Sequence, residues 1–489
     1  MNLTDLEKVR QDRLSKIVDL GFDPYGRVIQ GIDSIKSIIA QFTSIESSLT
    51  PDQISSNNIQ DRKPIAQGRI VLLRDNGGLI WLKIRDESGE IQVAISKKDV
   101  INEKTFQLAK LLDLGDIITV QGNIRRTKTQ EITIWAHGVT IACKSLSHPP
   151  DKHAGIQDVE TRYRQRYLDM AFNSEFINVL KTRSKIINLF RKEFEEINFT
   201  EVETPMLHSI AGGAAARPFQ THLNALGIPL FLRVAPELYL KKLIVGGMNN
   251  VFEINRNFRN EGIDATHNPE FTALEAYSTS HNASTLMVMV ETIIRSVASI
   301  IRSEDPVNDL IFEYNGHKIN LHEKFQVVAY SHLYKKATGR NIQEDADDLI
   351  SANKRFEQLA EPLIDPTIPT FVYGYPCAIS PLTKAIIEQP LFAQRADLFI
   401  GGMEIGTIYT EQNDPKIQHE VFSNQVSNDD EESTHRTMDD DFIEALKVGM
   451  PPTGGLGIGI DRLVMIFTGQ TSVRDVIAFP FMRPKNSSV

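Results

Sequence analysis

The chain has 489 residues, enough for roughly two to four domains and a large core, and its 41% hydrophobic and 24% charged residues give the balance of a globular protein. A net charge of −10 excludes a chain that coats nucleic acid over its whole surface, though not one with a local basic face. Cys143 and Cys377 are too few and too far apart for a disulfide framework or a thiolate zinc site; with no apolar signal region at the N-terminus and no uninterrupted apolar run of membrane-spanning length, a reducing cytoplasm and no membrane are expected.

Residues 3–20 predict an amphipathic helix, with Leu6, Val9, Leu14, Ile17 and Leu20 at roughly helical spacing and Gly21 as its stop. Residues 42–60, rich in Ser, Thr, Asn and Gln, read as a linker or an exposed helix end. From residue 65 the pattern turns to short strands, at 65–73, 79–85 and 91–95, separated by Asp75-Asn76-Gly77-Gly78 and Glu87-Ser88-Gly89. A helix over 99–112 follows, then strands at 117–124 and 131–141. Three strands, a helix and two strands is the order of an oligonucleotide-binding barrel, although another small β-barrel fits the same pattern.

His148-Pro149-Pro150 reads as a linker into a second domain, which opens with a strong helix over 174–197. Strands and helices then mix to the C-terminus, with short turns between adjacent strands, which predicts an antiparallel sheet carrying helices. No Walker phosphate loop is present. Gly454 to Gly459 lacks its lysine and reads as a strand whose glycines let another backbone or a ligand come close.

Two arginine-bearing stretches carry the chemistry. Phe252 to Glu261 alternates apolar and polar residues up to Phe258, breaks at Asn260-Glu261-Gly262, and resumes at Glu270 to Glu275: strand, turn, strand. Gly455 to Arg462 is a glycine-rich strand running into an apolar helix start. One arginine placed by a strand and another by a helix can grip two phosphates of one nucleotide from opposite sides, which points to activation with ATP.

In their order, these segments resemble the class II lysyl-tRNA synthetases along almost the whole chain. Phe199 to Pro205 looks like motif 1, Arg256 to Gly262 like motif 2 and Gly455 to Arg462 like motif 3. Between them, Gly212 to Phe219, Ala235 to Lys241 and His267 to Thr272 look like lysine-subfamily segments, and Arg162 to Asp169 like the family's hinge. The resemblance implies an α+β chain: an N-terminal helical extension and linker (1–60), a five-stranded OB-fold β-barrel that reads the anticodon (61–147), and a class II catalytic domain with a mostly antiparallel sheet flanked by helices (148–489). It also implies a homodimer acting on ATP, L-lysine and tRNA(Lys), with Mg2+.

The residue roles it implies are these. Arg259 holds the α-phosphate and the amino-acid carboxylate, because a planar guanidinium donates to two oxygens at once. Arg462 binds the γ-phosphate, Phe271 lies against adenine, Glu261 near its amine, and His267 with Asn268 near the phosphates. Asp397 and Glu404 match the family's magnesium carboxylates. Gly213 and Glu237 take the α-ammonium; Glu411 and Tyr277, with Glu275 nearby, take the side-chain ammonium. A neutral side chain is expected to leave Glu411 unpaired, a penalty that supplies discrimination on the order of 10⁴. In the barrel Arg69, Arg74, Trp81, Gln92 and Glu131 fall where the family reads unpaired bases by stacking and edge contacts; a place for Trp81 in the barrel core is the other reading.

Two departures stand out. The family's asparagine and small residue after the metal segment are Thr407 and Ile408 here, beside Tyr409 and Glu411. Thr407 is shorter than asparagine, and Ile408 adds bulk near that strand. The helical insertion at about 330–376 is shorter than usual, which implies a reduced lid. Two alternatives stay open: a ligase of this class with an altered amino-acid substrate, and a non-catalytic tRNA-binding paralogue.

Overall fold

The computed structural model describes residues 4–48, 63–147, 156, 158–173, 175–210, 212–213, 216–303, 309–427 and 438–484. It divides into two compact units, residues 1–177 and 178–489. Much of the expected 42–60 linker, and the expected boundary at 148, lie outside the described residues.

The first unit is built on a closed barrel of β1 (Ile65–Asp75), β2 (Leu79–Arg85), β3 (Glu90–Ser96), β4 (Ile117–Arg126) and β5 (Ile132–Cys143). The order round the barrel is β1-β2-β3-β5-β4. Period-two alternation explains the strands: Ile80, Leu82 and Ile84 point into the core, while Trp81, Lys83 and Arg85 do not. Trp81 therefore sits half-buried on the outer face, and its core reading is set aside.

The helix expected over 99–112 forms at Glu103–Leu111 and sets Phe106, Leu108 and Ala109 into the barrel core; two more helices, nearer the N-terminus, pack on the same barrel. Helix α1 (Asp5–Asp19) starts at a Thr4–Glu7 capping box. The expectation of an apolar stripe needs correction, since Leu6 and Val9 are exposed and Arg10 and Ile17 are the buried residues. Charge holds the helix instead: Arg10 donates to Ser145 O and Leu114 O, and Arg13 pairs with Asp113 at 2.6 Å. Helix α2 (Ile35–Ser47) was not expected. Its Ile35, Ile38 and Phe42 enter the barrel core, and residues 43–48 are its half-buried to exposed end, so for this part of 42–60 the helix-end reading holds and not the linker.

The second unit is an eight-stranded sheet of β6 (Thr200–Glu201), β7 (Asn250–Phe258), β8 (Glu270–Ser278), β9 (Gln326–Ala329), β10 (Thr370–Tyr373), β11 (Arg395–Ile400), β12 (Met403–Thr410) and β13 (Gly454–Gly459). The order is β9-β10-β11-β12-β13-β8-β7-β6. Only the two outermost pairings, β9 with β10 and β6 with β7, are parallel. One face carries the main core, where Phe252, Leu274, Ile408 and Leu456 meet helix α3 (Glu175–Glu196) through Phe190 and Phe194, and helix α4 (Ala283–Arg302) through Val290 and Ile294. Helix α4 is long and apolar enough to cross a membrane by composition. Its apolar stripe is buried in this core, and Glu291 and Arg295 interrupt the run. Residues 330–376 carry two α-helices, Tyr330–Thr338 and Leu349–Leu359, around an aromatic cluster in which Tyr330 stacks on Phe356 at 4.0 Å.

Candidate active site and barrel face

The other face of the sheet lines a cavity of about 650 Å³. Strand register assembles it. One row across five strands runs Glu253, Glu275, Gly457, Thr407, Asp397, and the next runs Val251, Tyr277, Gly455, Tyr409, Arg395. Alternation then decides the Thr407-Ile408 question. Thr407 lines the cavity, whereas Ile408 points the other way into the main core and does not narrow it. The glycines of β13 leave the room expected of them: a Cβ on Gly455 would come 2.6 Å from Tyr277 Cε1.

Strand β8 orders the cavity along its length. Phe271, Ala273, Glu275 and Tyr277 all line it, so roughly 20 Å of strand separates Phe271 from Tyr277. Phe271 lies beside the β7–β8 turn, opposite Asn257, with the Arg259 guanidinium 5.0 Å from its ring centre. The Arg259 Nε is buried without a hydrogen-bond partner among the described residues, a donor left for an anion. Glu261 accepts from Arg217 N, and Asn268 donates to Glu270 O.

Arg462 enters from the first turn of helix α5 (Ile460–Thr468). It donates to Glu404 O and lies 3.2 Å from His267 Nε2. Because arginine only donates, that nitrogen accepts, and the histidine proton sits on Nδ1 facing Asp264 at 2.8 Å. Beside Arg462, Asp461 is buried against Arg183 at 2.5 Å and accepts from Thr272 N. This brace ties helix α5 to helix α3 and strand β8.

At the acidic end, Gly213 (φ +91°), Glu237, Glu275, Tyr277 and Tyr409 line the cavity. Burial, and then repulsion from Glu237, push the Glu275 carboxyl up to about 8. Burial first, and then repulsion from Glu237, Glu275 and Glu411, holds the Tyr277 phenol well above its ordinary range. Glu411 does not line the cavity. It is fully buried with Lys241 Nζ 2.5 Å from its Oε2, and the same Nζ lies 2.6 Å from Glu237 Oε1. The expectation that Glu411 stands unpaired until a substrate arrives is therefore corrected: a cation of the chain itself is already there.

Asp397 also stays out of the cavity lining, because Arg395 holds both its oxygens, at 2.9 and 2.7 Å. Glu404 does line it, and burial followed by repulsion from Asp397 raises its carboxyl. Among the described residues no three acids or histidines form a ready-made metal cage. Magnesium often binds through one or two carboxylates plus substrate phosphates. Glu404, with Asp397 behind it, fits that mode and not an all-protein site.

On the barrel, Arg74 pairs across strands with Trp81, Gln92 accepts from Thr133, Glu131 lies 3.7 Å from Lys83, and Arg69 is turned onto Gly115 O. The sequence reading missed two neighbours. Trp135 meets Trp81 edge to face at 5.6 Å, and the Arg125 guanidinium lies 3.9 Å over Trp135. The outer face thus offers an aromatic pair flanked by cations, a stacking platform for bases.

Family comparison fits both units. Residues 158–483 match the model of class II tRNA synthetases (D, K and N), and residues 65–142 match that of the OB-fold nucleic acid binding domain. The chain belongs to the class II tRNA synthetases of that family. It is 40% identical to the lysine–tRNA ligase of Carboxydothermus hydrogenoformans over 99% of both chains, and 41% identical to that of Staphylococcus saprophyticus, again over 99% of both. To the lysine–tRNA ligase of Streptococcus suis it is 40% identical over 98% of both.

Proposed function

We propose that the chain activates L-lysine with ATP, releasing pyrophosphate, and passes the lysyl group to the terminal ribose of tRNA(Lys). The observation that carries this reading is one cavity with the guanidiniums of Arg259, its Nε unpartnered among the described residues, and Arg462 toward the turn end of β8, and the carboxylates of Glu237 and Glu275 at the other end. A molecule with a carboxylate and an ammonium on one carbon and a second ammonium at the end of its side chain fits that gradient, and the full-length likeness to lysine–tRNA ligases names it.

In the first step the lysine carboxylate attacks the α-phosphorus and pyrophosphate leaves. Such a reaction needs alignment and neutralisation of developing charge more than covalent help. Arg259 holds the attacking carboxylate against the α-phosphate, and its unpaired Nε is available for this. Phe271 supports adenine, and Glu261 approaches its amine. Arg462, with His267 and Asn268 beside it, takes the far phosphates. Magnesium, held by Glu404 with Asp397 behind it, neutralises phosphate charge when bound. Gly213 and Glu237 receive the α-ammonium. Glu275, Tyr277, Tyr409 and the Glu411 region receive the side chain, with Thr407 between them. In the second step the ribose hydroxyl attacks the lysyl carbonyl and AMP leaves. Exposed Ile197, Met206 and Leu207 flank the motif 1 strand and support a homodimer through that edge. A cytoplasmic enzyme is the compartment consistent with this chemistry.

ATP–pyrophosphate exchange across lysine, a lysine isomer, ornithine, arginine and norleucine tests the substrate. Exchange strongest with L-lysine is expected; silence with lysine and exchange with the isomer would reject the assignment. Tight tRNA binding with no exchange for any amino acid would instead favour the non-catalytic alternative.

Two further results are expected. Trp81→Ala weakens tRNA charging by about tenfold or more while leaving tRNA-free exchange unchanged, because a lost stacking surface is worth roughly 1–3 kcal/mol per base; equal loss of both would make Trp81 structural. For pH, an ammonium favours the ionised form of Glu275. With that carboxyl near 8, the lysine KM falls as pH rises from 6.5 to 8.5, and Glu275→Gln flattens the fall. A KM that rises over that window in the parent enzyme would contradict the assignment.

A further inference from the structure

Lys241 occupies the place where the amino-acid side chain is expected to find its acid. It lies one helical turn after Glu237 on helix α6 (Glu237–Val245) and is fully buried. Its Nζ bridges Glu237 Oε1 at 2.6 Å and Glu411 Oε2 at 2.5 Å, 5.9 Å from the Tyr277 ring centre. The helix fixes one contact through i,i+4 spacing, and Glu411 is fixed at the end of β12 by Glu411 N to Thr453 O at 2.8 Å. Nothing here is a flexible surface pair that an incoming ammonium could displace at little cost. Both Glu411 oxygens are buried without a hydrogen bond among the described residues, but only Oε2 has the Lys241 ammonium against it, which leaves Oε1 without a cation.

We infer that Lys241 is a specificity-determining positioning residue: a resident cation that stays in place when substrate binds, holds the carboxylates of Glu237 and Glu411 in position, and leaves only Glu411 Oε1 for the substrate's terminal ammonium. The inference rests on the proposed lysine activity. Two buried carboxylates brought together without a cation do not both stay ionised. Lys241 works against burial to favour the charged form of Glu411, and a neutral side chain meets a half-paired carboxylate that it cannot satisfy. Without Lys241, one of the two acids takes up a proton and the penalty against neutral side chains falls. Lys241 thus acts on the amino-acid end of the cavity and not on the nucleotide end, which lies along β8 near Phe271 and Arg259.

The test is Lys241→Met in the full chain, read by ATP–pyrophosphate exchange with separate KM values for lysine and ATP, and with norleucine as the neutral analogue that lacks the terminal ammonium. The lysine KM is expected to rise roughly ten- to hundredfold, the ATP KM to stay within about twofold, and the preference for lysine over norleucine to drop by roughly tenfold or more. A lysine KM and preference equal to the parent's, or a parallel rise in both KM values, would overturn the inference. Should Lys241→Met fail to fold, Lys241→Gln, which keeps a donor toward Glu411 but no charge, takes its place. Loss of the lysine preference in that variant supports the inference, and retention of the parent's preference overturns it. The parent enzyme is run alongside: if it exchanges with another amino acid instead of lysine, the lysine reading fails, and the same comparison on that amino acid still decides the role of Lys241.

Discussion

Replacing Arg259 with alanine is expected to lower the rate of adenylate formation by about 10³-fold or more while leaving the protein folded. Among the described residues the side chain lines the cavity with an unpartnered Nε and holds no ion pair that its loss would orphan. Its cost therefore falls on chemistry. Removing one donor that meets developing charge costs about 10²–10³-fold, and an arginine serving phosphoryl oxygens about 10³–10⁵-fold. Exchange with saturating lysine and ATP reads the first effect, and a thermal melt reads the second. Near-normal exchange in this variant would remove Arg259 from the reacting phosphate.

Asp461→Ala is the reverse case, large in stability first. Asp461 is buried, pairs with Arg183 and accepts from Thr272 N. Truncation leaves the Thr272 amide without its acceptor and Arg183 without its carboxylate, with the neutral acceptors Val476 O and Thr272 Oγ1 remaining among the described residues, and breaking a buried pair from one side costs about 3–5 kcal/mol. The variant is expected to melt well below the parent, and its ATP KM is expected to rise because the neighbouring Arg462 loses the brace that orients the first turn of α5. A melting temperature unchanged from the parent would show that Arg183 finds another acceptor.

The barrel strands were legible because each alternates apolar and polar residues between clear turns, as in Leu79–Arg85. The β7–β8 hairpin was legible for the same reason, and strand register then brought Glu275, Tyr277, Thr407 and Tyr409 to one face. Helix α2 was missed because its Ser, Thr and Gln residues outweigh Ile35, Ile38 and Phe42 in composition, although those three follow helical spacing. Trp135 was missed because its place beside Trp81 depends on the parallel β3–β5 pairing, which no local pattern reveals. Half of the Lys241 bridge was visible as the i,i+4 spacing from Glu237; the other half joins residues 170 positions apart, a contact that only the folded sheet creates.

Calorimetric titration with a non-hydrolysable lysyl-adenylate analogue tests the central claim most directly, because the analogue spans both the cationic and the acidic end of the cavity. One site per chain is expected, at least about 10²-fold tighter than lysine alone, with the affinity falling sharply in Arg259→Ala and for the norleucyl counterpart. Equal affinity for the lysyl and norleucyl analogues, or binding no tighter than that of lysine alone, would contradict it.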